Sequence, residues 1–220
     1  MSENNSNSNN KKKFYLNIFI VNIYIGICVG IENIYRKPLF DQSLIFIKNW
    51  RQSDSQSMES FFKIITEFGS QNVLVPIFVI LFLFTPLNKS YCILSTVIYS
   101  IVFDCIMKMS YGNPRPFWVD AELCKHCDTG YGNPSGHSFT STSAYLSIWN
   151  VITDYEFFNK DLKGKILRFF LLIFFLLLII TIMISRVYLA LHSVNQILYG
   201  CLLGLGFYLM IFHVMKINKM

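Results

Sequence analysis

The chain has 220 residues, of which 53% are hydrophobic and only 15% charged, and its mean hydropathy is +0.43. That balance excludes an ordinary soluble domain and selects a membrane protein. The formal net charge of +6 does not mark a nucleic-acid binder, because the lysines and arginines are scattered around apolar runs and form no dense basic patch with interleaved aromatics.

Residues 1–13, MSENNSNSNNKKK, have nothing to bury and are expected to be a disordered polar leader, with residues 14–220 forming one membrane-embedded domain. FYLNIFIVNIYIGICVGI is long enough to span the hydrocarbon. Its basic flank also resembles the start of a secretory signal, but no small-x-small cleavage site follows, so a retained first helix is expected. Asn33 to Ser70 mixes charges with Phe, Ile and Trp and reads as an interfacial helix or a loop on the headgroups. Further spans are expected at Val73–Phe84, Tyr91–Met109, Phe139–Thr153, Ile166–Ile184 and Val194–Val214. The fold class is therefore all-α, a polytopic membrane helix bundle with about six transmembrane helices. Gly200 and Gly204 form a small-x-x-x-small pair on the last span, suited to a close helix contact within the chain.

Cys28, Cys92, Cys105 and Cys201 fall in apolar segments and read as packing residues. Cys124 and Cys127, with His126 between them, lie in a polar loop, where zinc, a disulfide and free thiols are all open. With six alternating spans, Lys11 to Lys13, Lys89, the cluster Lys160, Lys163, Lys165 and Arg168, and Lys216 with Lys219 share one side. That side is expected to be the cytoplasm, although Arg36, Lys37, Lys48 and Arg51 on the other side make the bias modest.

Three polar clusters interrupt the apolar chain: KMSYGNPRP (Lys108 to Pro116), GNPSGHS (Gly132 to Ser138) and SRVYLALHSVNQ (Ser185 to Gln196). Span parity brings them to one membrane face, where Lys108, Arg115, Arg186, His137 and His192 converge. Fixed cations in a partly desolvated pocket repel, by about 4 kcal/mol for unit charges about 4 Å apart at an effective dielectric near 20, so an anion must neutralise them. The two guanidinium forks and the compact Lys108 charge suit a phosphoryl group better than a single carboxylate. Ser135 and the Gly136 amide add donors at a helix N-terminus. His192 then reads as the nucleophile and His137 as the acid that protonates the leaving oxygen. Gln196, four residues after His192 and on the same face if both are helical, is placed to accept from one ring nitrogen and fix the tautomer. Asp104, one turn before Lys108, is placed to pair with it, while Asp120, Glu122 and Asp128 read as surface or lid groups over the pocket.

The motifs K-x6-RP, PSGH and SR-x5-H resemble the signature of the type 2 phosphatidic acid phosphatase superfamily, which also contains glucose-6-phosphatases and vanadium haloperoxidases. The resemblance covers Lys108 to Gln196 and implies a membrane phosphatase acting on a phosphomonoester, without metal or other cofactor. It implies a phosphohistidine at His192, leaving-group protonation by His137, and phosphate binding by Lys108, Arg115, Ser135, Gly136 and Arg186. The lipid phosphatase pattern has aspartate four residues after the nucleophile, where this chain has Gln196. RPFW, CDTGYGNPSGH and SRVYLALH are similar to glucose-6-phosphatases, which are longer. The implied substrate is a phospholipid, sphingoid or isoprenoid phosphate, or else a sugar phosphate, with a catalytically silent lipid-binding relative as a further alternative. The implied partners are that substrate and the lipid bilayer, with no nucleic acid. The implied setting is the endoplasmic reticulum or plasma membrane, with the site on the non-cytoplasmic side.

Overall fold

Backbone groups in hydrocarbon must satisfy one another, and this chain does so with helices. The computed structural model describes residues 2–52, 55–124 and 128–217, and no strand occurs among the described residues. The elements in order are α1 (Ser2–Gln52), α2 (Gln56–Glu67), α3 (Gln71–Phe84), α4 (Leu87–Tyr111), α5 (Pro116–Val119), a 3-10 turn at Ala121–Leu123, α6 (Gly136–Thr153), α7 (Glu156–Lys160), α8 (Leu162–Tyr188) and α9 (Val194–Ile217). Among the described residues four segments are helical, long and apolar enough to cross a membrane: Tyr15–Gln52, Lys89–Val119, Leu162–Tyr188 and Val194–Phe212. The pair α2 and α3, bent by 41° at its break, makes a fifth if it counts as one span. The outward faces carry exposed Phe19, Ile27, Phe84, Ile98, Phe169 and Leu177, an apolar girdle that suits lipid rather than water.

The expected span at Phe139–Thr153 is α6, which is not among those five segments. Its composition explains why: Ser138, Thr140, Ser141, Thr142, Ser143 and Ser147 are all buried, so α6 faces protein on every side instead of lipid. Several of its hydroxyls are returned to the backbone, with Ser147 Oγ donating to Ser143 O at 2.7 Å, or meet α4 at the Ser100–Ser143 contact of 3.2 Å. α9 closes on α6 through the expected glycines. A Cβ on Gly200 would lie 2.6 Å from Ser135 O, and one on Gly204 would lie 2.5 Å from Phe139 O, approaches that any side chain would prevent.

Asn33–Ser70 departs from the expected interfacial segment. α1 continues unbroken through Pro38 to Gln52, and α2 follows as a separate helix. Cys28, Glu32, Ser43 and Ile47 are buried, and their spacing places them on one face of α1. Ser43 and Ile47 are thus turned to protein, while Lys37, Asp41, Gln42, Lys48 and Asn49 of the same helix stay exposed.

Candidate active site

α4 ends where Gly112 takes the left-handed conformation, φ 57°, and its N–H donates to Lys108 O. Lys108 is thus held in the last turn, with its Nζ 2.9 Å from Asp104 Oδ2, the pairing that the i,i+4 spacing predicts. Gly136 opens α6 directly against this pair: a Cβ there would lie 2.7 Å from Asp104 Oδ2 and 3.0 Å from Lys108 Nζ. The absence of a Cβ at that position lets the Asp104–Lys108 pair lie directly against the start of α6.

Ser135 is the N-cap of α6, its side chain accepting from Ser138 N–H. Ser135 N–H donates to Gln196 O at 3.0 Å and Phe139 N–H to Ser135 O. Among the described residues this leaves the Gly136 and His137 amides as the first-turn donors at the helix mouth. Ser135 itself is fully buried and its hydroxyl oxygen is engaged in the cap. The ring of His137 packs against the elbow between α2 and α3, with Cδ2 3.2 Å from where a Cβ on Gly69 would sit.

Arg115, the N-cap of α5 ahead of Pro116, is buried and wrapped by the loop that precedes PSGH. Its Nε donates to Gly130 O at 2.8 Å, Nη2 to Thr129 O and Nη1 to Leu191 O. Arg186, in the last turn of α8, donates from Nη1 to Thr66 Oγ1 of α2 at 3.0 Å, while its buried Nε has no hydrogen-bond partner among the described residues. Asp128 lies across both guanidiniums, its Oδ2 3.1 Å from Arg115 Nη1 and 3.6 Å from Arg186 Nη2. The arginine side chains are 3% and 5% exposed and the carboxylate 46%, so a half-solvated anion caps two buried cations.

Past Tyr188 the chain turns sharply. Ala190, buried, adopts φ 57°, and the N–H groups of Leu191 and His192 both reach back to Arg186 O, at 3.0 and 3.2 Å. This is the left-handed closure that usually takes glycine, and it folds His192 back toward Arg186. His192 lies just outside α9, so it does not share a helix face with Gln196 as the spacing suggests. The contact forms another way: Gln196, in the first turn of α9, folds back so that its Oε1 accepts from Ser193 N–H, half of a capping box, and lies 3.2 Å from His192 Nδ1. A nearer partner is Gly132 O, 2.8 Å from the same nitrogen. Gln196 Nε2 donates to Pro114 O at 2.8 Å, which fixes the amide orientation. Both groups facing Nδ1 are therefore acceptors, so Nδ1 carries the proton and Nε2 keeps its lone pair. Burial, and then the charges of Arg115, Arg186 and Lys108 and the His137 ring, hold the proton affinity of His192 well below the ordinary imidazole range.

The structure thus brings Lys108, Arg115, Gly136, His137, Arg186 and His192 to one place, with Ser135 and Gln196 behind them as supports. Sequence reasoning missed three contributors. Asp128 reads as a loop acid, yet pairs with both arginines. Thr66 lies in the stretch assigned to headgroups. Glu32 sits in an apparent lipid-facing helix, but its Oε1 accepts from Asn133 Nδ2 at 2.8 Å and from Asn195 Nδ2 at 3.1 Å. The signal for Glu32 was present, since a carboxylate in an apolar run is costly and needs a partner. Cys124 is disulfide-bonded, while His126 and Cys127, on which the zinc, disulfide and free-thiol alternatives also depend, lie outside the described residues.

No curated protein matches the chain. Two solved structures share its fold. One is the transmembrane PAP2 type phosphatidylglycerolphosphate phosphatase from Bacillus subtilis, at 19% identity and a TM-score of 0.71, covering 94% of this chain and 96% of that one. The other is LpxE of Aquifex aeolicus, at 21% identity and a TM-score of 0.53, covering 80% of this chain and 94% of that one. At those identities the likeness establishes fold alone. The family model described as the PAP2 superfamily matches residues 89–220, which hold every motif residue of the site, and the chain belongs to that superfamily.

Proposed function

We propose that the protein is an integral membrane phosphatase that hydrolyses a phosphomonoester, in particular a lipid phosphate, through a phosphohistidine on His192 and without metal, from the non-cytoplasmic side of an endoplasmic reticulum or plasma membrane. The observation that carries this reading is the setting of His192: Nδ1 faces two acceptors, Gly132 O and Gln196 Oε1, and the ring is buried among Arg115, Arg186 and Lys108. A dianionic phosphoryl group takes the place of the Asp128 carboxylate between Arg115 and Arg186, its remaining oxygens reaching Lys108, Arg186 Nε and the Gly136 and His137 amides. The negative charge it brings lets His137 hold a proton despite the surrounding cations.

Nε2 of His192 then attacks phosphorus in line. The N–P bond forms as the P–O ester bond breaks, and His137 gives its proton to the leaving oxygen, so the alcohol departs neutral. Water attacks the same phosphorus from the vacated side and yields its proton to His137. The N–P bond breaks, releasing inorganic phosphate and restoring the neutral imidazole. Two carbonyl acceptors on Nδ1–H stabilise the positive charge that grows on the ring, the task an aspartate performs elsewhere. Gln196 is therefore compatible with turnover.

A lipid substrate is favoured over a sugar phosphate by the setting of the site, at the ends of apolar helices long enough to cross a membrane. The name of the Bacillus subtilis structural relative, a phosphatidylglycerolphosphate phosphatase, agrees with that class. The test is release of inorganic phosphate by purified protein from phosphatidic acid, sphingoid and isoprenoid phosphates and glucose 6-phosphate, with EDTA present. Turnover of a lipid phosphate, inhibition by vanadate and its loss in His192→Ala are expected. Phosphate release by His192→Ala removes the nucleophile, and preference for glucose 6-phosphate moves the substrate to the sugar class.

A further inference from the structure

Glu32 is a buried carboxylate, 5% exposed, that the reaction above does not use. It sits in the long apolar window of α1, where burying a charge is unfavourable unless it is fully engaged. One of its oxygens, Oε1, receives both the Asn133 and the Asn195 side-chain amides, and both asparagines are almost wholly buried. These two residues belong to different segments, each next to one of the histidines: Asn133 lies in the loop before α6, which His137 helps to open, and Asn195 in the first turn of α9, just after His192. Asn133 follows Gly132, whose carbonyl holds His192 Nδ1, and precedes the turn into His137. Asn195 accepts from Ser193 Oγ at 2.7 Å, and Ser193 is the residue next to His192. The phosphate-binding cations are held by other groups: Lys108 by Asp104, Arg115 by the carbonyls of residues 129, 130 and 191, and Arg186 by Thr66.

We infer that Glu32 is a positioning residue for the reaction: by tying Asn133 to Asn195 it holds the Gly132 carbonyl against His192, and so sets the nucleophile relative to His137. The inference rests on the phosphatase reading. Because Glu32 bonds to Asn133 and Asn195, beside the histidines, and to none of Lys108, Arg115 and Arg186, its removal should slow the chemical step while leaving phosphate binding in place.

The experiment compares kcat, KM and the inhibition constant for inorganic phosphate in the full chain and its variants, reconstituted in lipid. In Glu32→Ala, kcat is expected to fall about tenfold or more with phosphate inhibition within about threefold of wild type, the split that separates the chemical step from ground-state binding. Glu32→Gln keeps an oxygen acceptor for both amides and is expected to recover kcat to within about threefold. The inference is overturned if kcat in Glu32→Ala is unmoved, if phosphate inhibition weakens in parallel with kcat, or if Glu32→Gln is as impaired as Ala. Should Glu32→Ala not fold, Glu32→Asp, one methylene too short to reach both amides, must show the same split, and full kcat there overturns the inference. Failure of both to fold assigns Glu32 to folding and overturns it equally. Wild-type protein that binds phosphate but hydrolyses no phosphomonoester sinks the phosphatase reading itself, whereas wild-type turnover with kcat unmoved in Glu32→Ala sinks only this inference.

Discussion

Asp128 makes the sharpest prediction, because its removal should improve binding rather than damage it. Its Oδ2 stands 3.1 Å from one guanidinium and 3.6 Å from the other, in the place a substrate oxygen is proposed to take. An entering phosphoryl group must displace it, so the carboxylate competes with every anion for the same two forks. Unit charges about 4 Å apart interact by about 4 kcal/mol at an effective dielectric near 20. The Asp128 side chain is 46% exposed, and solvent screening brings the figure down to about 1–2 kcal/mol. Asp128→Asn keeps the shape and removes the charge, and about 1.4 kcal/mol is a tenfold change in affinity. The inhibition constant of inorganic phosphate should therefore fall about tenfold in the variant, read from inhibition of phosphomonoester turnover at fixed ionic strength. A general loosening of the loop would weaken binding instead. An unchanged or higher constant would refute the view that phosphate and the carboxylate share one place between Arg115 and Arg186.

Gly136→Ala puts a Cβ against Asp104 Oδ2 and Lys108 Nζ. Both are side-chain ends that can shift, so melting temperature should move little while kcat/KM drops about tenfold or more as Lys108 is displaced. Arg186→Lys keeps the charge but loses the fork and should lower kcat by about 100-fold to 1000-fold, on the scale of losing an oxyanion donor, in steady-state assays. Stability should depend on pH through His192, whose folded-state proton affinity is depressed. Below about 6.5, the ordinary imidazole value, the unfolded chain binds a proton that the folded chain refuses, so stability is full above that pH and falls as pH drops, by up to about 1.4 kcal/mol per unit. Thermal unfolding in detergent across that range should show the slope, and His192→Gln should reduce it by the share that His192 carries.

The three motifs were legible because each needs residue types that an apolar chain otherwise avoids: two arginines, a lysine and two histidines at span ends. The glycines at 200 and 204 were legible for the opposite reason, as small residues where larger ones would suit lipid. What the sequence hid was the packing partner of each polar residue. The Ser- and Thr-rich α6 is an unconvincing lipid span because it is a central helix covered on all sides by protein, as its buried hydroxyls show. Within and beside the stretch that begins at Asn33, two polar residues of α1 turn to protein instead: Ser43 Oγ accepts from Val194 N–H at 3.0 Å, and Glu32 receives two asparagines. Periodicity fixes which residues share a face but not what that face meets, and contacts 101 and 163 residues apart in the chain leave no local trace.

The partner of His192 Nδ1 illustrates how this affects chemistry. From spacing alone the nitrogen has one acceptor, the Gln196 amide, and a neutral amide is a poor substitute for a carboxylate beside an imidazole that must become cationic. The fold supplies a second acceptor, Gly132 O, at a shorter distance, from a loop 60 residues away. Glycine is required there, since a Cβ on Gly132 would fall 2.6 Å from Gln196 Nε2 and 2.8 Å from Pro114 O. The close approach that rules out a side chain is the same one that brings the carbonyl to the ring. The buried carboxyl group sits instead at Glu32, one residue removed through Asn133. That arrangement keeps a full carboxylate off the histidine, leaves the ring neutral among its cations, and still orients it through neutral dipoles. A carboxylate against Nδ1 would raise the ring's proton affinity and favour the protonated, non-nucleophilic form in the empty site. On the proposed mechanism the backbone of the neighbouring motif therefore shares the orienting task with Gln196.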